Sequence, residues 1–526
     1  MPPKPLRRPI CVDFFCGAGG MSVGLEQAGF DVALGVDYDG YHAATHERNF
    51  PYGKSLCRSV ANLTGTEVHQ LVGRDEVDLV CGGPPCQGFS TMGRRDFADP
   101  RNSLVGDFVR LVTEIRPKAF LMENVPGMLS GRTRPVLDAA VAAWEAAGYR
   151  VTHPIRVLDA SHYGAPQRRK RVIVLGIRRD CGSRIDYPSG PAIGQPLRPT
   201  VLEAIADLPD VDRFDDLFDS NAIRYSAKPK SPYAKFQRDL ERDPHDFSYP
   251  RLWSKSTCTG CQRVRHSEAA IALYRNTPPG EMVPSHKLPR LDPDGLAPTL
   301  RAGSDSSHGS YTAPRPIHPV RPRCITAREA ARLHGFPDWF AFYPNKWQSY
   351  RQIGNAVCPP LARALGESIL KSLGIVPVVP SLSIALGDEF VLPPDRPRSL
   401  KRLPEVVHVP PVVADLFDKR FDSRKGTIRQ SGFSFADVLE AVSRTGVTLN
   451  GLRAETFVGT LARSRNVDRL LEPCLKHGFT IRPCRTDDRI GEFVPAGHPD
   501  GIWPKVERPP IRVTKGSTNR AQKTLW

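Results

Sequence analysis

From Ile10 to about Leu370, short apolar runs alternate with amphipathic stretches, the pattern of strands feeding helices. Ile10 to Phe15 reads as a short strand, followed by the glycine-rich turn Cys16-Gly17-Ala18-Gly19-Gly20. Met21 to Ala28 has helical spacing, with Val23, Leu25 and Ala28 at the apolar positions and Gly29 as the stop. Val32 to Val36 forms a second strand, closed by Asp37. Val77, Leu79 and Val80 predict a strand that runs into Gly82, Gly83, Pro84, Pro85 and Cys86. A helix follows over Leu104 to Ile115. Next come a strand over Ala119 to Met122, ending in Glu123-Asn124-Val125, and an alanine-rich helix over Pro135 to Ala147. Val151 to Leu158 and Val172 to Ile177 read as strands bracketing Tyr163 to Arg171. Strand–helix alternation of this kind predicts an α/β fold with a mostly parallel sheet and helices on both faces.

The regularity fails from about Cys181 to Pro298, where proline, aspartate, arginine and lysine are common. A smaller irregular domain or a large insertion is expected there. Pattern returns when Thr326 caps a helix over Ala327 to His334, which Gly335-Phe336-Pro337 stops. Pro359 and Pro360 suit the first turn of a further helix, through about Leu370. Ile375 to Pro411 is rich in valine and proline and reads as a linker. Apolar patterning at Phe433 to Val442, Leu461 to Leu475 and Phe479 to Ile481 predicts a second folded unit beyond it.

A chain of 526 residues exceeds one ordinary core, in agreement with several domains. No apolar run is long enough to span a bilayer, and the N-terminus has no secretory pattern. The 12 cysteines are scattered, without a small-domain disulfide framework, so reduced thiols and a cytoplasmic location are expected. A net charge of +17 favours a polyanionic partner, although charge alone does not separate DNA, RNA and anionic membrane. No amphipathic basic helix supports the membrane.

Chemistry concentrates at the strand ends. A strand, a glycine loop, a helix and an acid closing the next strand make a nucleoside-binding unit, with Asp37 able to accept from ribose hydroxyls. The loop lacks the Gly-Lys-Ser/Thr ending of a P-loop, which disfavours ATP. Cys86 sits in a loop stiffened by two prolines, an arrangement that fits either a presented thiol or a buried structural one. Glu123 closes a strand and faces the ligand crevice of such folds, unless it is a plain surface carboxylate. Arg168, Arg169, Lys170 and Arg171 form either a solvated face or an anion site. Cys258 and Cys261 form a CTGC with His266 nearby, but no second pair is present, which disfavours a structural metal.

The residues together resemble the cytosine-C5 DNA methyltransferases, most nearly those of prokaryotic restriction–modification systems. The resemblance covers about Ile10 to Leu370. Its motifs occur in the family's linear order: DFFCGAGG at Asp13 to Gly20, GGPPCQGFS at Gly82 to Ser90, ENV at Glu123 to Val125, QRRKR at Gln167 to Arg171, REAARLHGFP at Arg328 to Pro337, and QIGNAV at Gln352 to Val357. The family implies a Rossmann-like S-adenosylmethionine-dependent methyltransferase fold with a target-recognition domain. On that basis residues 1–183 are the catalytic and cofactor-binding domain and 184–297 the recognition domain. Residues 298–372 return to the catalytic domain, 373–411 are a linker, and 412–526 are a C-terminal domain of unassigned role.

The resemblance also implies roles. Cys86 is the nucleophile, Glu123 contacts the target cytosine, and Arg169 and Arg171 hold the flipped nucleotide. Phe15, Gly17, Gly19, Gly20, Asp37 and Asn355 line the cofactor site, with Asn355 steadying the junction between lobes. Gln87, Ser90, Arg94, Arg95, Gln167 and Arg168 face DNA. No metal is implied. The partners are double-stranded DNA and, in function only, a cognate restriction endonuclease, with the protein acting as a monomer. One position departs: where the family carries an acid followed by isoleucine, this chain has Ser59-Val60. A tRNA cytosine methyltransferase is the nearest enzyme alternative, and a catalytically silent DNA-binding regulator the nearest non-enzyme.

Overall fold

The structure is a computed structural model that describes residues 8–85, 104–192, 198–285, 287–303, 315–385, 421–422, 427–428, 479–481 and 493–495. Cys86, Gln87, Ser90, Arg94 and Arg95 lie outside the described residues, as do the patterned stretches 433–442 and 461–475. The chain divides into two compact units, Met1–Lys401 and Arg402–Trp526. In the second, Phe421–Asp422 pairs antiparallel with Thr427–Ile428, and Phe479–Ile481 with Phe493–Pro495.

The first unit is built on an eight-stranded sheet. Its strands are β1 (Ile10–Phe14), β2 (Asp31–Asp37), β3 (Lys54–Cys57), β4 (Leu79–Gly82), β5 (Ala119–Asn124), β6 (Tyr149–Val151), β7 (Arg156–Asp159) and β8 (Lys170–Arg178). They lie in the order β3-β2-β1-β4-β5-β8-β6, with β7 also on β8. β1 to β5 pair in parallel, and β8 runs antiparallel to β5, β6 and β7. The stretch Val151 to Leu158, expected as one strand, is two short ones that pair with different parts of β8. An apolar run shows that a segment is buried but not where it bends.

Period-2 alternation sends β1 to both faces of the sheet. Ile10, Val12 and Phe14 join one core, which also takes the apolar stripes of α3 (Gly65–Val72), α4 (Leu104–Ile115) and α5 (Arg134–Ala146). Phe108, Leu111 and Trp144 are fully buried there, and burying each of the first two contributes about 2 kcal/mol. Cys11 faces the opposite core, shared with α1 (Gly20–Ala28), α9 (Ala327–His334) and α11 (Pro359–Ser372). α2 (Gly40–Asn49) follows β2, with Asp39 accepting from Tyr41 N and His42 N at its start.

Among its described residues the irregular segment holds short elements: α6 (Val201–Ile205), α7 (Pro232–Gln237), α8 (Glu268–Asn276) and the antiparallel pair Ala222–Arg224 with Thr257–Thr259, while Arg251–Leu252 pairs with Ile384–Ala385. Charged pairs dock it on the sheet domain. Arg251 makes a buried two-pronged bond to Glu26 of α1 at 2.8 and 2.9 Å, and Arg363 of α11 reaches Asp243 at 2.7 Å. Arg332 binds Asp207 and Asp338 entirely within the interior. α10 (Lys346–Asn355) begins with Asn345 as its cap. Among the described residues no helix is long and apolar enough to cross a membrane.

Thr326 caps α9 as expected, and Glu329 answers it in a capping box while Arg323 clamps both carboxylate oxygens at 2.8 and 2.9 Å. Burial opposes the Glu329 charge, but Arg323 and His318 more than offset it, drawing the group from 4.5 to about 2. A carboxylate with a lowered folded-state pKa gives stability above its unfolded pKa and loses it as pH falls through the folded one. Glu329→Gln should therefore cost at most about 3 kcal/mol at neutral pH. Denaturant unfolding should show that deficit shrinking as the pH falls from about 4.5 towards 2. A deficit independent of pH contradicts the assignment.

Candidate active site

The parallel strands β1, β2, β4 and β5 all end at one edge of the sheet, and β8, being antiparallel to β5, begins there. Glu123 sits near the end of β5, opposite Ile173 in the register, and Arg171 lies two residues earlier in β8. Both side chains are largely buried, with Arg171 Nε 2.6 Å from Glu123 Oε1. Burial lifts the Glu123 carboxyl above its ordinary value, and the charges of Arg171 and then Arg169 limit the rise. A carboxylate poised in this way can hold a hydrogen bond to a polar ring edge.

The loop leading to Cys86 starts against this pair. A Cβ on Gly83 would lie 2.9 Å from Glu123 Oε2, so a side chain there would make the carboxylate shift. Asn124 Nδ2 donates to Pro84 O at 2.9 Å and ties the two motifs together. Gly82 allows a close approach, since a Cβ there would lie 2.4 Å from Phe14 O, and neither Gly82 nor Gly83 has positive φ.

The cation run divides by alternation. Arg168 and Lys170 are exposed, while Gln167 and Arg169 point inward. Arg169 is 2% exposed and donates to Leu300 O at 3.0 Å and Gly354 O at 2.8 Å, although its buried Nε has no partner. Gln167 is fully buried; its Nε2 bonds Leu333 O and His334 Nδ1, and its Oε1 accepts from Leu300 N. Two residues expected at the nucleotide and DNA face thus sit beneath it, as ties between β8 and the returning chain. The run of charge left a solvated face and an anion site open; the extended backbone leading into β8, bridged at Gln167 to Ala297, turns Gln167 and Arg169 inward.

At the other end of the edge, Asp37 Oδ2 accepts from Gly17 N at 2.9 Å and Oδ1 from Asp39 N at 2.8 Å. Burial raises the Asp37 carboxyl, but His42 with the Asp39 and Gly17 N–H groups outweighs it, leaving the carboxyl below its ordinary value. Phe15 holds φ +60°, a strained conformation for a bulky residue that costs on the order of 1–3 kcal/mol. Gly17 has φ +55° and open space where a Cβ would stand. A strained aromatic, an open glycine and an ionised acid fit a nucleoside with its attached chain. Tyr38 extends the set: it is 70% exposed beside Asp37, and Arg351, which bonds it, also pairs with Asp39 at 2.6 Å. Neither Tyr38 nor Arg351 was expected; an aromatic directly after the ribose acid was the available signal. Ser59 spends its hydroxyl capping a short turn, accepting from Ala61 N at 3.3 Å.

The returning chain closes the loop from behind. A Cβ on Gly20 would lie 2.4 Å from Val357 O and 2.8 Å from Ala356 Cβ, so α1 starts directly on the QIGNAV segment. Asn355 ends α10 exposed, next to these contacts. A Cβ on Gly19 would run into the Phe50 ring. His334, also not singled out beforehand, links Gln167 to Ala356 O at 3.0 Å; burial and then the Arg169 charge keep its ring far below the usual histidine range and so neutral. Beneath the loop Ser22 joins Asp13 at 2.6 Å and His46 at 3.1 Å, but all three are buried and brace β1, α1 and α2.

Cys258 and Cys261 stand with their sulfurs 3.3 Å apart in a small apolar core with Val211 and Leu217. Among the described residues no group of three or more His, Cys, Asp or Glu could hold a metal ion.

Residues 10–371 match the family model of the C-5 cytosine-specific DNA methylases. Type II methyltransferase M.XorII of Xanthomonas oryzae pv. oryzae is 43% identical over 390 residues, covering 74% of this chain and 90% of that protein. Type II methyltransferase M.AgeI of Thalassovita gelatinovora is 32% identical over 429 residues, covering 68% and 98%. A solved Escherichia coli structure, described as a putative DNA modification methyltransferase encoded within a prophage, superposes with a TM-score of 0.58 at 32% identity. That match covers 70% of this chain and 99% of that one.

Two glycine substitutions separate the roles of the loop. Gly20→Ala must push α1 off the QIGNAV segment and should cost about 1–3 kcal/mol of stability in thermal or denaturant unfolding. Gly17→Ala meets only a strained φ, so its stability should fall by about 1 kcal/mol. Its binding of the nucleoside ligand, read by calorimetry, should weaken at least tenfold. Equal stability losses with unchanged binding contradict this division.

Proposed function

The chain belongs to the C-5 cytosine-specific DNA methylases, which transfer a methyl group from S-adenosylmethionine to C5 of cytosine, and from that premise we propose how its strand-edge site performs the reaction. The observation that carries the reading is the Glu123–Arg171 pair standing against Gly83, where the loop to Cys86 departs.

C5 of cytosine is a poor nucleophile. The Cys86 thiolate adds to C6 of the base, and the electron pair of the C5–C6 double bond moves towards C5. Glu123, carrying a proton, donates to N3 while its other oxygen accepts from the exocyclic amine, which makes C6 more electrophilic and steadies the negative charge as it develops. Arg171 keeps that carboxyl aimed at the ring. S-Adenosylmethionine supplies the electrophilic methyl that C5 takes up. The C5 proton then leaves to a base, with an ordered water as the acceptor, and the electrons of the broken C–H bond re-form the double bond as sulfur departs from C6. Asp37 would hold the ribose of the bound cofactor, Phe15 and Tyr38 would pack against its adenine, and Gly17, Gly19 and Gly20 would shape the floor. Asn355 reaches the cofactor from the returning chain.

The reacting atoms are out of reach in a stacked duplex, so the cytosine rotates into the site at a cost of about a few kcal/mol. Arg168, with Gln87, Ser90, Arg94 and Arg95, offsets this by contacts to the opened DNA. Arg169 and Gln167 act as positioning residues behind that face. Base choice lies in residues 184–297, where some side chains read base edges and more fix the backbone. The relatives' designation as Type II methyltransferases supports a protective role beside a cognate restriction endonuclease. On this reading the protein acts as a monomer in the cytoplasm.

Expression in an unmethylated host, followed by genome-wide mapping of 5-methylcytosine, should show modification at one short sequence. Cys86→Ala should abolish the signal without lowering thermal stability. Full methylation by that variant, or activity on tRNA with none on duplex DNA, overturns the reading.

A further inference from the structure

A cavity of about 430 Å³, lined by no residue of the strand-edge site, lies between the irregular segment and the start of α9. Phe218, Gln262, Arg263, Arg265, His266 and Arg323 are among its lining residues. Asp212 also lines it and pairs with Arg323 at 3.2 Å. The cations on its wall, together with Arg315 and Lys346 beside it, are of two kinds. Arg263 and Arg323 are balanced: Arg263 reaches Asp215 at 2.9 Å, and Arg323 is clamped on Glu329. Arg265, Arg315 and Lys346 are not. Arg265 lies 4.1 Å from the centre of the Phe218 ring and Arg315 3.9 Å from that of Tyr350; neither has a carboxylate within ion-pair distance among the described residues. Lys346 Nζ donates to Arg263 O at 2.9 Å and likewise has no ion pair among them.

The electrostatics agree with the geometry. Lys346 is depressed below the ordinary lysine value by burial and then by the Arg315 and Arg265 charges, with only Asp219 opposing. His266 is depressed by burial and by Arg315 and Arg323. Arg315 also keeps a buried Nε with no hydrogen-bond partner. Three like charges held together by aromatic stacking and partial burial repel one another unless an anion joins them. The stacked guanidiniums are pre-aimed, which suits a tetrahedral oxyanion.

We propose that this cluster binds a backbone phosphate of the duplex, clamping DNA at the seam between the irregular segment and α9, apart from the site of methyl transfer. The proposal rests on the DNA reading above and adds a contact to it. The segment carrying Arg265 is the one assigned to recognition, while Lys346 opens the helix that ends at Asn355. A phosphate held between them fixes the seam in the register that presents bases to the irregular segment. Such contacts position the duplex and carry no sequence information of their own.

The test uses the full chain and a duplex carrying its methylation site, with equilibrium binding measured across a salt series. The double variant Arg265→Gln/Lys346→Gln should bind about tenfold more weakly and reduce the slope of log K against log salt by about one. Its affinity for S-adenosylmethionine and its turnover at saturating DNA in low salt should stay at wild-type values. The charge-preserving pair Arg265→Lys/Lys346→Arg should keep the wild-type slope, which separates charge from folding. An unchanged slope in the glutamine variant overturns the proposal. So does calorimetric binding of inorganic phosphate that the variant loses while its DNA affinity stays intact, since the cluster would then serve a free anion. Loss of wild-type methylation of duplex DNA would sink the parent reading instead, because that assay does not depend on the salt slope.

Discussion

The buried contact between Glu123 and Arg171 is the constraint around which the strand-edge site is arranged. Burial raises the Glu123 carboxyl, and a cation beside it limits that rise and aims the group, so the acid needs its arginine close at hand. The fold meets this demand through strand direction. β8 runs against β5, so the start of one and the end of the other share an edge, and the arginine arrives where the acid needs it. Gly83 packs against the same contact, and a side chain there would displace the carboxylate from its place. Asn124, the next residue along β5, holds the carbonyl of Pro84 and so fixes where the loop to Cys86 begins. Acid, cation and loop origin form one rigid group before any substrate enters.

A second layer of contacts makes the two ends of the edge interdependent. Arg169, just ahead of β8, reaches the carbonyls of Leu300 and Gly354, and Gln167 passes through His334 to Ala356. Ala356 and Val357 lie directly on Gly20, at the base of the nucleoside loop. The segment between Leu300 and Val357 therefore rests on both halves of the site. Most of these bonds end on backbone carbonyls, and removing one partner would leave a buried polar group unpaired at about 1–3 kcal/mol. Close packing at Gly24 and Gly366 seats α1 on α11 in the same region.

Much of this architecture is legible in the amino-acid sequence because β1, β2, β4, β5 and α4 carry strong periodicity and their acids and glycines fall at element ends. Glu123 and Asp37 are visible for that reason. What escaped is non-local. Segment 184–297 has no periodic signature because Arg251–Glu26, Arg363–Asp243 and Arg332–Asp207 hold it, pairs that join residues far apart in the chain. The inward turn of Gln167 and Arg169 was hidden by their place in a run of cations, where composition argued for solvent. α10 has a mainly polar sequence, and tertiary contacts such as Gln352 to Tyr41 O and Thr45 hold it in place.

If Glu123 and Arg171 act as a unit, a double-mutant cycle on the methyl-transfer step tests the account most directly. Single-turnover rates on duplex DNA would be compared for wild type, Glu123→Gln, Arg171→Gln and the double variant, with folding checked by thermal unfolding. Each single change should slow the step by about a hundredfold or more, and the double variant should be no slower than the worse single one. Losses that multiply in the double variant would show that the two groups act independently and would contradict the arrangement described.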